Sequence, residues 1–320
     1  KTDGTLWMWG SNENGALGVN DEANRSSPVQ IPGTTWTDNI QTHHGGGTSA
    51  VKTDGTLWSW GKNEFGMVGD NSVIFRSSPI QIPGTTWSTA VDTMDGSEEG
   101  RKFAIKTNGT LWCWGNNNNG NLGLNQGTYT DRYSSPVQIP GTTWSNISVA
   151  AELELATKTD NTLWVWGSNY DGMQGQNESY SPSKKARSSP TQVPGTTWSR
   201  GEDKISAGNG QALAIKTDGT LWIWGSNAYG ALGLNQAHAL RISSPTQIPG
   251  TTWSTVTSLT GASIAMKTDG TIWSWGYNGR GKLGHNNAHP ANYSSPVQIP
   301  GTDWIKLSSG SYSGYVIKEA

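Results

Sequence analysis

The sequence predicts an all-β fold, a six-bladed β-propeller of four-stranded antiparallel blades, on three observations. One unit of about fifty residues recurs in tandem; each unit contains a strand pair joined by a tight turn; and one strand is apolar on both faces. The composition agrees, because the 320 residues include 42 Gly and 18 Trp but only 14% charged residues. Glycine supplies the positive φ angles that many short turns need.

The repeat is visible when the chain is compared with itself. The segment KTDGTLWMWG at Lys1 returns five times with few changes, and each copy is followed by a turn-rich stretch, a loop of variable length and SSPVQIPGTTW or a close relative. The copies start at Lys1, Lys52, Lys106, Lys158, Lys216 and Lys267. All 18 Trp residues occupy three fixed places per unit. These repeats predict one propeller domain that spans residues 1–320.

Four strands per unit follow from the turn chemistry. A short apolar run, such as 103–105, precedes each repeated Lys after Lys1, and an Asp-Gly or Asn-Gly pair then leads into Leu-Trp-x-Trp-Gly in most copies. This arrangement is the strongest short-range signal for a β-hairpin, and the fourth copy has the tolerant Asn161 in place of Gly. Pro-Val-Gln-Ile-Pro predicts a third strand, which its prolines confine to an edge. The segment after Thr-Thr-Trp, such as 147–150, predicts the fourth.

The Leu-Trp-x-Trp strand must be covered on both faces. Strict alternation would expose half of the large residues in 6–9, whereas stacked blades bury both sides of an inner strand. Each Trp can bury about 150–250 Å², so these rings are expected to supply most of the packing between blades. Each indole N–H needs an acceptor, and we expect a carbonyl of the neighbouring blade to supply it.

The terminal segments predict how the ring closes. The last unit ends after the apolar strand at 314–318 and lacks the Trp-rich strand, whereas the first unit starts with that strand. The two parts are complementary. The sequence therefore predicts one blade shared between the N- and C-termini, which gives six blades in total unless residues upstream of Lys1 add a seventh.

Charge and residue types argue against several functions. The net charge is −2 and no basic cluster exceeds Lys184-Lys185, so neither nucleic acid binding nor membrane insertion is expected. The single Cys113 excludes an internal disulfide and is expected in the core. The histidines, expected as surface groups in loops, are His43, His44, His238, His285 and His289. The repeated Asp residues lie in hairpin turns, where backbone geometry favours Asp. We therefore expect no enzyme activity, cofactor or metal.

The repeated pattern resembles a known family. K-T-D-G-T-L-W-x-W-G, followed by N-x-x-G-x-L-G at Asn12–Gly18 and by S-S-P-V-Q, is similar to the regulator of chromosome condensation repeat family of β-propellers. The resemblance covers essentially the whole chain and implies four-stranded blades. The founding member of that family is a seven-bladed GTPase exchange factor with a basic tail, whereas this chain has six units and no such tail. Low charge and near-identical repeats resemble bacterial and phage-borne members, whose roles are adhesive or structural.

Variable loops on a constant scaffold indicate where a partner binds, because insertions in repeats often form the binding face. The loops between Leu-Gly and Ser-Ser-Pro carry aromatic and basic residues, which interfaces favour. The candidate partner-binding residues are Phe75, Tyr129, Tyr133, Tyr180, Lys184, Lys185, Arg187, His238, Arg241 and Tyr293. A second candidate surface is a channel mouth formed by segments such as 43–47 and 95–102.

These features predict a non-catalytic binding or structural module. The expected setting is a virion, as a tail fibre or decoration protein, or a cell surface, where the loops bind a protein or a glycan and the chain can be part of a larger assembly. The alternative is an intracellular regulator of the GTPase-exchange or enzyme-inhibitor type.

Overall fold

A computed structural model of the chain describes residues 1–43, 46–90, 94–97, 99–126, 132–178, 186–201, 203–236, 238, 240–286, 292–310 and 313–318. In these ranges the regular structure consists of 24 strands and four one-turn 3-10 helices. The chain divides into two compact units, Lys1–Ile147 and Ser148–Ala320. The prediction that residues 1–320 form one domain stays a prediction.

Two four-stranded sheets and a terminal two-stranded sheet belong to the first unit. The two-stranded sheet contains β1 (Trp7–Gly10) and β2 (Arg25–Gln30). The next sheet contains β3 (Trp36–His43), β4 (Gly47–Lys52), β5 (Leu57–Gly61) and β6 (Arg76–Gln81). The third contains β7 (Met94–Ser97), β8 (Arg101–Ile105), β9 (Leu111–Asn116) and β10 (Arg132–Gln138). The strands of each sheet are antiparallel neighbours in chain order.

The second unit repeats this arrangement, and its first sheet begins with β11 (Trp144–Val149), in which the unit boundary falls. That sheet continues with β12 (Leu153–Lys158), β13 (Leu163–Gly167) and β14 (Arg187–Gln192). The following sheet contains β15 (Ile205–Ala207), β16 (Gln211–Ile215), β17 (Leu221–Ser226) and β18 (Arg241–Gln247). The last four-stranded sheet contains β19 (Trp253–Leu259), β20 (Ala262–Lys267), β21 (Ile272–Gly276) and β22 (Tyr293–Gln298). A two-stranded sheet of β23 (Trp304–Ser309) and β24 (Gly314–Lys318) follows.

The predicted four-stranded antiparallel blade is confirmed in five sheets. In the hairpin between β4 and β5, Asp54 Oδ1 accepts hydrogen bonds from Thr56 N at 3.0 Å and Thr56 Oγ1 at 2.7 Å. Asn108 makes the same two bonds to Thr110, which explains why Asn can replace Asp here. These hydrogen bonds lower the pKa of Asp54, so the repeated carboxylate stabilises its own turn.

The third strand of the unit is longer than predicted. It starts before Ser-Ser-Pro, as in Arg76–Gln81, and it contains the proline instead of starting there. The proline is tolerated because this strand is the edge of its sheet and because its pairing with the Trp-rich strand shifts register between Ser59 and Gly61. The predicted edge position is therefore correct.

The three Trp positions of each unit make three different sets of contacts. The second Trp of each complete Trp-rich strand is fully buried, as at Trp60 and Trp224. Its indole donates to a carbonyl of the preceding repeat, for instance Trp60 to Ala16 O at 3.0 Å, as predicted. The first Trp instead donates to the Thr that directly precedes its own strand, such as Trp58 to Thr56 Oγ1 at 2.9 Å. The third Trp packs edge to face on both, with Trp36 and Trp60 centroids 6.0 Å apart.

The terminal strands lie in two-stranded sheets, and closure of the ring by a shared blade stays a prediction. β1 pairs with β2 and β24 pairs with β23, so the terminal strands lie in two separate two-stranded sheets. The described residues form seven sheets, five of four strands and two of two strands.

Candidate binding surface

The two surfaces predicted from the sequence lie at the same end of each complete sheet. In the sheet β3–β6, Gly61 is paired with Gly47 on one side and with Arg76 on the other. The β3–β4 turn and the long β5–β6 connection therefore leave the sheet at one end. We call this the loop end. The Asp-Gly turns and the Pro-Gly-Thr-Thr segments lie at the opposite end.

The structure places six of the ten candidate residues. Phe75, His238 and Arg241 are exposed, whereas Tyr133, Arg187 and Tyr293 are half-buried. Tyr129, Tyr180, Lys184 and Lys185 lie outside the described residues. Partner binding by these residues stays a prediction.

Three of the candidates occupy one repeat position, directly before Ser-Ser-Pro, and make contacts within the protein. Arg187 donates to Gln174 Oε1 at 2.6 Å and forms an ion pair with Glu178. Tyr133 packs against the core cluster that includes Trp114. Tyr293 packs against His285 with ring centroids 5.0 Å apart. The position thus fastens each loop to its sheet, through a charge pair or through an aromatic ring.

A buried Asn shapes each described loop. Asn63, fully buried, accepts from Val68 N at 2.8 Å and donates to Ser72 O at 3.1 Å and to Ile74 O at 3.0 Å. Arg76 Nε reaches Asp70 Oδ2 at 2.6 Å across the same loop. These bonds hold the backbone of the β5–β6 connection in place before any partner arrives.

The connection fixed by Asn63 displays a continuous apolar run. The exposed fractions of Val73, Ile74 and Phe75 are 43%, 62% and 41%. Contiguous exposed apolar surface of this kind marks interaction sites in soluble proteins. The sequence-based prediction named only Phe75, although comparison of loops of equal length would have revealed all three residues.

The first repeat supplies that comparison. Its loop has the same length, and Asn12 plays the role of Asn63 by donating to Asp21 O at 2.8 Å and accepting from Leu17 N at 2.8 Å. At the places of the apolar run it carries the exposed residues Glu22, Ala23 and Asn24. The scaffold therefore does not require apolar residues there.

The loop end of the second unit carries an aromatic pair that sequence reasoning missed. The rings of Tyr229 and Tyr277 lie 4.7 Å apart, and Lys282 Nζ lies 4.8 Å from the Tyr277 centroid. Tyr229 is 51% exposed and has a φ of 60°. Asn14 and Asn119, which tolerate that conformation, occupy the corresponding position in other repeats. A bulky residue held there costs strain, which is typical of functional positions.

A cationic side chain is buried in the first unit. Lys102, 1% exposed, donates to Ser49 Oγ at 2.5 Å and to Ser59 Oγ at 3.1 Å. Burial lowers the pKa of Lys102 from 10.5 to about 7. The two hydroxyls also bond to each other at 3.0 Å, so the amine is part of a polar network between two sheets.

This pKa predicts a pH-dependent stability. Above about pH 7 the folded chain has lost a proton that the unfolded chain keeps up to its ordinary pKa of 10.5, so stability rises with pH across that window. Relative to Lys102→Met, the wild-type free energy of unfolding should increase by up to about 1.4 kcal/mol per pH unit there. Urea unfolding of both proteins across the window measures this. A difference that does not change with pH would contradict it.

Two other residues that could carry chemistry, His285 and Cys113, make contacts within the protein. His285 Nε2 lies 2.8 Å from Ser274 Oγ, and burial lowers the pKa of this imidazole. His289 lies outside the described residues. Among the residues that the structure describes, no group of three His, Cys, Asp or Glu could hold a metal ion. Cys113 is buried, as expected, with Sγ 3.2 Å from Leu122 O. No helix within the described ranges is long and apolar enough to cross a bilayer.

Tandem four-stranded sheets with Trp-mediated packing and a variable loop end define a repeat protein of the propeller class. The chain belongs to the RCC1-like domain family, which matches residues 1–316. The resemblance to the regulator of chromosome condensation repeats is thereby confirmed. The similarity to bacterial and phage-borne members stays a prediction.

Two curated proteins illustrate the relationship. The chain is 26% identical over 302 residues to the ultraviolet-B receptor UVR8 of Arabidopsis thaliana, a match that covers 91% of the chain and 64% of the receptor. It is 24% identical over 314 residues to the E3 ubiquitin-protein ligase HERC2 of Homo sapiens, covering 96% of the chain and 6% of the ligase. The chain thus spans less than two thirds of either relative.

Solved structures show the same fold. Yeast RCC1 (Prp20), in a crystal structure with Kap60, superposes with a TM-score of 0.75 at 20% identity over 99% of this chain and 77% of that one. Human WBSCR16 superposes with a TM-score of 0.75 at 18% identity over 100% of this chain and 83% of that one. These similarities confirm the all-β propeller fold.

Proposed function

We propose that this chain is a non-catalytic propeller module that binds a partner protein through its loop end, with Val73, Ile74 and Phe75 as the apolar anchor in the first unit. The observation that carries the proposal is the exposure of these three residues on a loop whose backbone is already held by Asn63. Preorganisation reduces the entropic cost of binding, and apolar anchors dominate the affinity of protein interfaces.

Similar proteins support a protein partner over a glycan. Yeast RCC1 (Prp20) was crystallised with Kap60, and the structure of Prp20p from Saccharomyces cerevisiae was described with its binding to Gsp1p and histones. A branched-chain and aromatic run also matches a protein surface better than the hydroxyl-rich surface of a sugar. Exposure on a virion or cell surface remains part of the proposal, supported by the low charge and the near-identical repeats. Labelling of intact particles or cells with an antibody against the chain tests that location.

The experiment replaces the apolar run 73–75 by the residues at the same places in the loop of equal length in the first repeat. The variant Val73→Glu, Ile74→Ala, Phe75→Asn reproduces the first repeat on the same scaffold, so the fold is expected to be unchanged. Affinity capture from source-cell extract, quantified by mass spectrometry, should then show selective loss of proteins that the wild type retains. A glycan array is probed with both proteins in parallel.

Two results would contradict the proposal. The first is retention of the same proteins in equal amounts by both chains. The second is glycan binding that the exchange abolishes, which would assign the surface to a sugar. The matched reverse exchange, Glu22→Val, Ala23→Ile, Asn24→Phe, serves as a control for added apolar surface.

The second candidate function is regulation of a partner protein such as a GTPase, and the binding of the similar protein Prp20p to Gsp1p is consistent with a protein partner of this kind. The aromatic pair Tyr229 and Tyr277, together with the basic Lys282 beside Tyr277, offers a separate surface for such a partner. Accelerated release of labelled nucleotide from purified GTPases would support this role. If neither the wild type nor Tyr229→Asn changes the rate of nucleotide release from its value without added protein, this role is excluded for the GTPases tested.

A further inference from the structure

A Lys ammonium and the indole N–H of the third Trp meet over one glycine in four repeats, at the end of the sheet opposite the loop end. A Cβ at Gly84 would lie 3.3 Å from Lys106 Nζ and 3.8 Å from Trp87 Nε1. The same two kinds of nitrogen lie near three other glycines, namely Gly33 with Lys52 and Trp36, Gly195 with Lys216 and Trp198, and Gly250 with Lys267 and Trp253. We call each such space, bounded by the Gly, the ammonium and the indole N–H, a lysine notch.

Both donors of the lysine notch at Gly84 lack an acceptor in the part of the chain that the structure describes. Trp87 is 1% exposed, and its Nε1 has no hydrogen-bond partner there. Lys106 Nζ lies 4.7 Å from the Trp87 centroid and 4.3 Å from the Trp112 centroid, and no ion pair joins it to a described carboxylate. A buried N–H is costly to leave unpaired, so this arrangement indicates a ligand that accepts hydrogen bonds.

The lysine notch at Gly84 is open toward solvent on the side of the glycine. Gly84, Thr85 and Thr86 are exposed. The φ of Gly84 is +100°, a conformation that residues with a side chain rarely adopt, so no side chain fills the space. Lys106 is half-buried on its two Trp rings, and this cation–π contact holds the ammonium at one place. A small anion can therefore approach over Gly84 without a change in the backbone.

The hairpin turn after Lys106 lacks the carboxylate that follows the other three lysines. Those carboxylates, two residues after the Lys, belong to Asp54, Asp218 and Asp269. Hydrogen bonds from Thr56, together with the charge of Lys52, lower the pKa of Asp54, so this carboxylate and the ammonium interact. Asn108 holds its turn by the same bonds without a charge, and burial lowers the pKa of Lys106. The notch at Gly84 thus has a positive charge without the negative neighbour of the other notches.

We propose that the lysine notch at Gly84 binds a small oxyanion, a phosphate or a carboxylate, between Lys106 Nζ and Trp87 Nε1. Hydrogen bonds from an ammonium to anionic oxygens are among the strong ones in proteins, and the anion also supplies the acceptor that the indole N–H needs. The other three notches bind the same anion less well, because an Asp carboxylate repels it there. The site lies at the opposite end of the sheet from the run 73–75, so it is independent of the proposed partner binding.

Titration of the assigned indole N–H signals by ¹H–¹⁵N NMR measures the binding. Sodium phosphate is added in exchange for sodium chloride, so that the ionic strength stays constant. The Trp87 signal is expected to shift and saturate, whereas those of Trp36, Trp198 and Trp253 shift less at the same concentration. A parallel titration with sodium acetate tells whether the site prefers a phosphate or a carboxylate, and saturable binding of either at Trp87 supports the proposal.

Two exchanges between repeats provide matched variants. Asn108→Asp installs the turn residue of the other repeats, so the fold is expected to be unchanged while anion binding at Trp87 weakens by about fivefold or more. The reverse exchange, Asp54→Asn, should strengthen the response of Trp36 by a similar factor, and Lys106→Gln should abolish that of Trp87. A Trp87 signal that responds to neither anion, or equally in the wild type and in Asn108→Asp, would overturn the proposal.

Discussion

Replacement of Trp60 or Trp224 by Ala is expected to lower the free energy of unfolding by about 3–5 kcal/mol. Both rings are fully buried, and each indole donates to a carbonyl of the preceding repeat, Trp60 to Ala16 and Trp224 to Met173. Truncation therefore removes a large apolar contact and leaves a buried carbonyl without its donor. Urea unfolding followed by far-UV circular dichroism measures the loss.

Phe75→Ala is the control for this prediction. Phe75 is 41% exposed on the loop end, so its truncation should change stability by less than about 0.5 kcal/mol. A similar loss for Phe75 and Trp60 would show that the assignment of core and surface is wrong.

Gly115→Ala is expected to destabilise the protein by about 3 kcal/mol or more, from strain and steric overlap together. The φ of Gly115 is +97°, and a Cβ would lie 2.2 Å from Gly100 O and 2.8 Å from Arg101 Cα. Both contacts are to backbone of the paired strand, which cannot move without loss of the sheet. Thermal unfolding reports the change.

Gly10→Ala separates the two contributions. Gly10 is at the same repeat position with a φ of +111°, but no heavy atom outside its chain neighbours would lie within 4 Å of a Cβ at this residue. The substitution should cost only the backbone strain, about 1 kcal/mol. If both substitutions cost the same, the close approach of the two strands is not what selects Gly115.

Much of the blade could be predicted because its causes are local. The Asp-Gly turn with its Asn variants, the bonds from Thr56 to Asp54 and the large apolar residues on both faces of Leu-Trp-x-Trp act over a few residues, and the pattern recurs in each of the six units. The predicted acceptor of the indole N–H was also correct for the second Trp, because a buried N–H needs a partner and the neighbouring repeat offers the nearest carbonyl. The edge position of the Pro-containing strand followed from the missing N–H of proline.

The binding surface was predicted only in part. The variable loops were recognised, but Tyr133, Arg187 and Tyr293 serve to fasten those loops, a role that depends on contacts with Gln174 or His285 that spacing does not show. The run Val73–Phe75 was identified through Phe75 alone, because exposure depends on the bonds from Asn63 that hold the loop. Tyr229 was missed because its positive φ is visible only in the backbone.

The amino-acid sequence alone determined the repeat, the four strands of each blade, their turns and the Trp residues between them, since each depends on neighbours within one unit or the next. The tertiary structure decided that the Pro-containing strand extends back to Arg76, that Val73–Phe75 is exposed and that Lys102 is buried against Ser49 and Ser59. Those outcomes depend on contacts between segments far apart in the sequence, which no short stretch of sequence specifies.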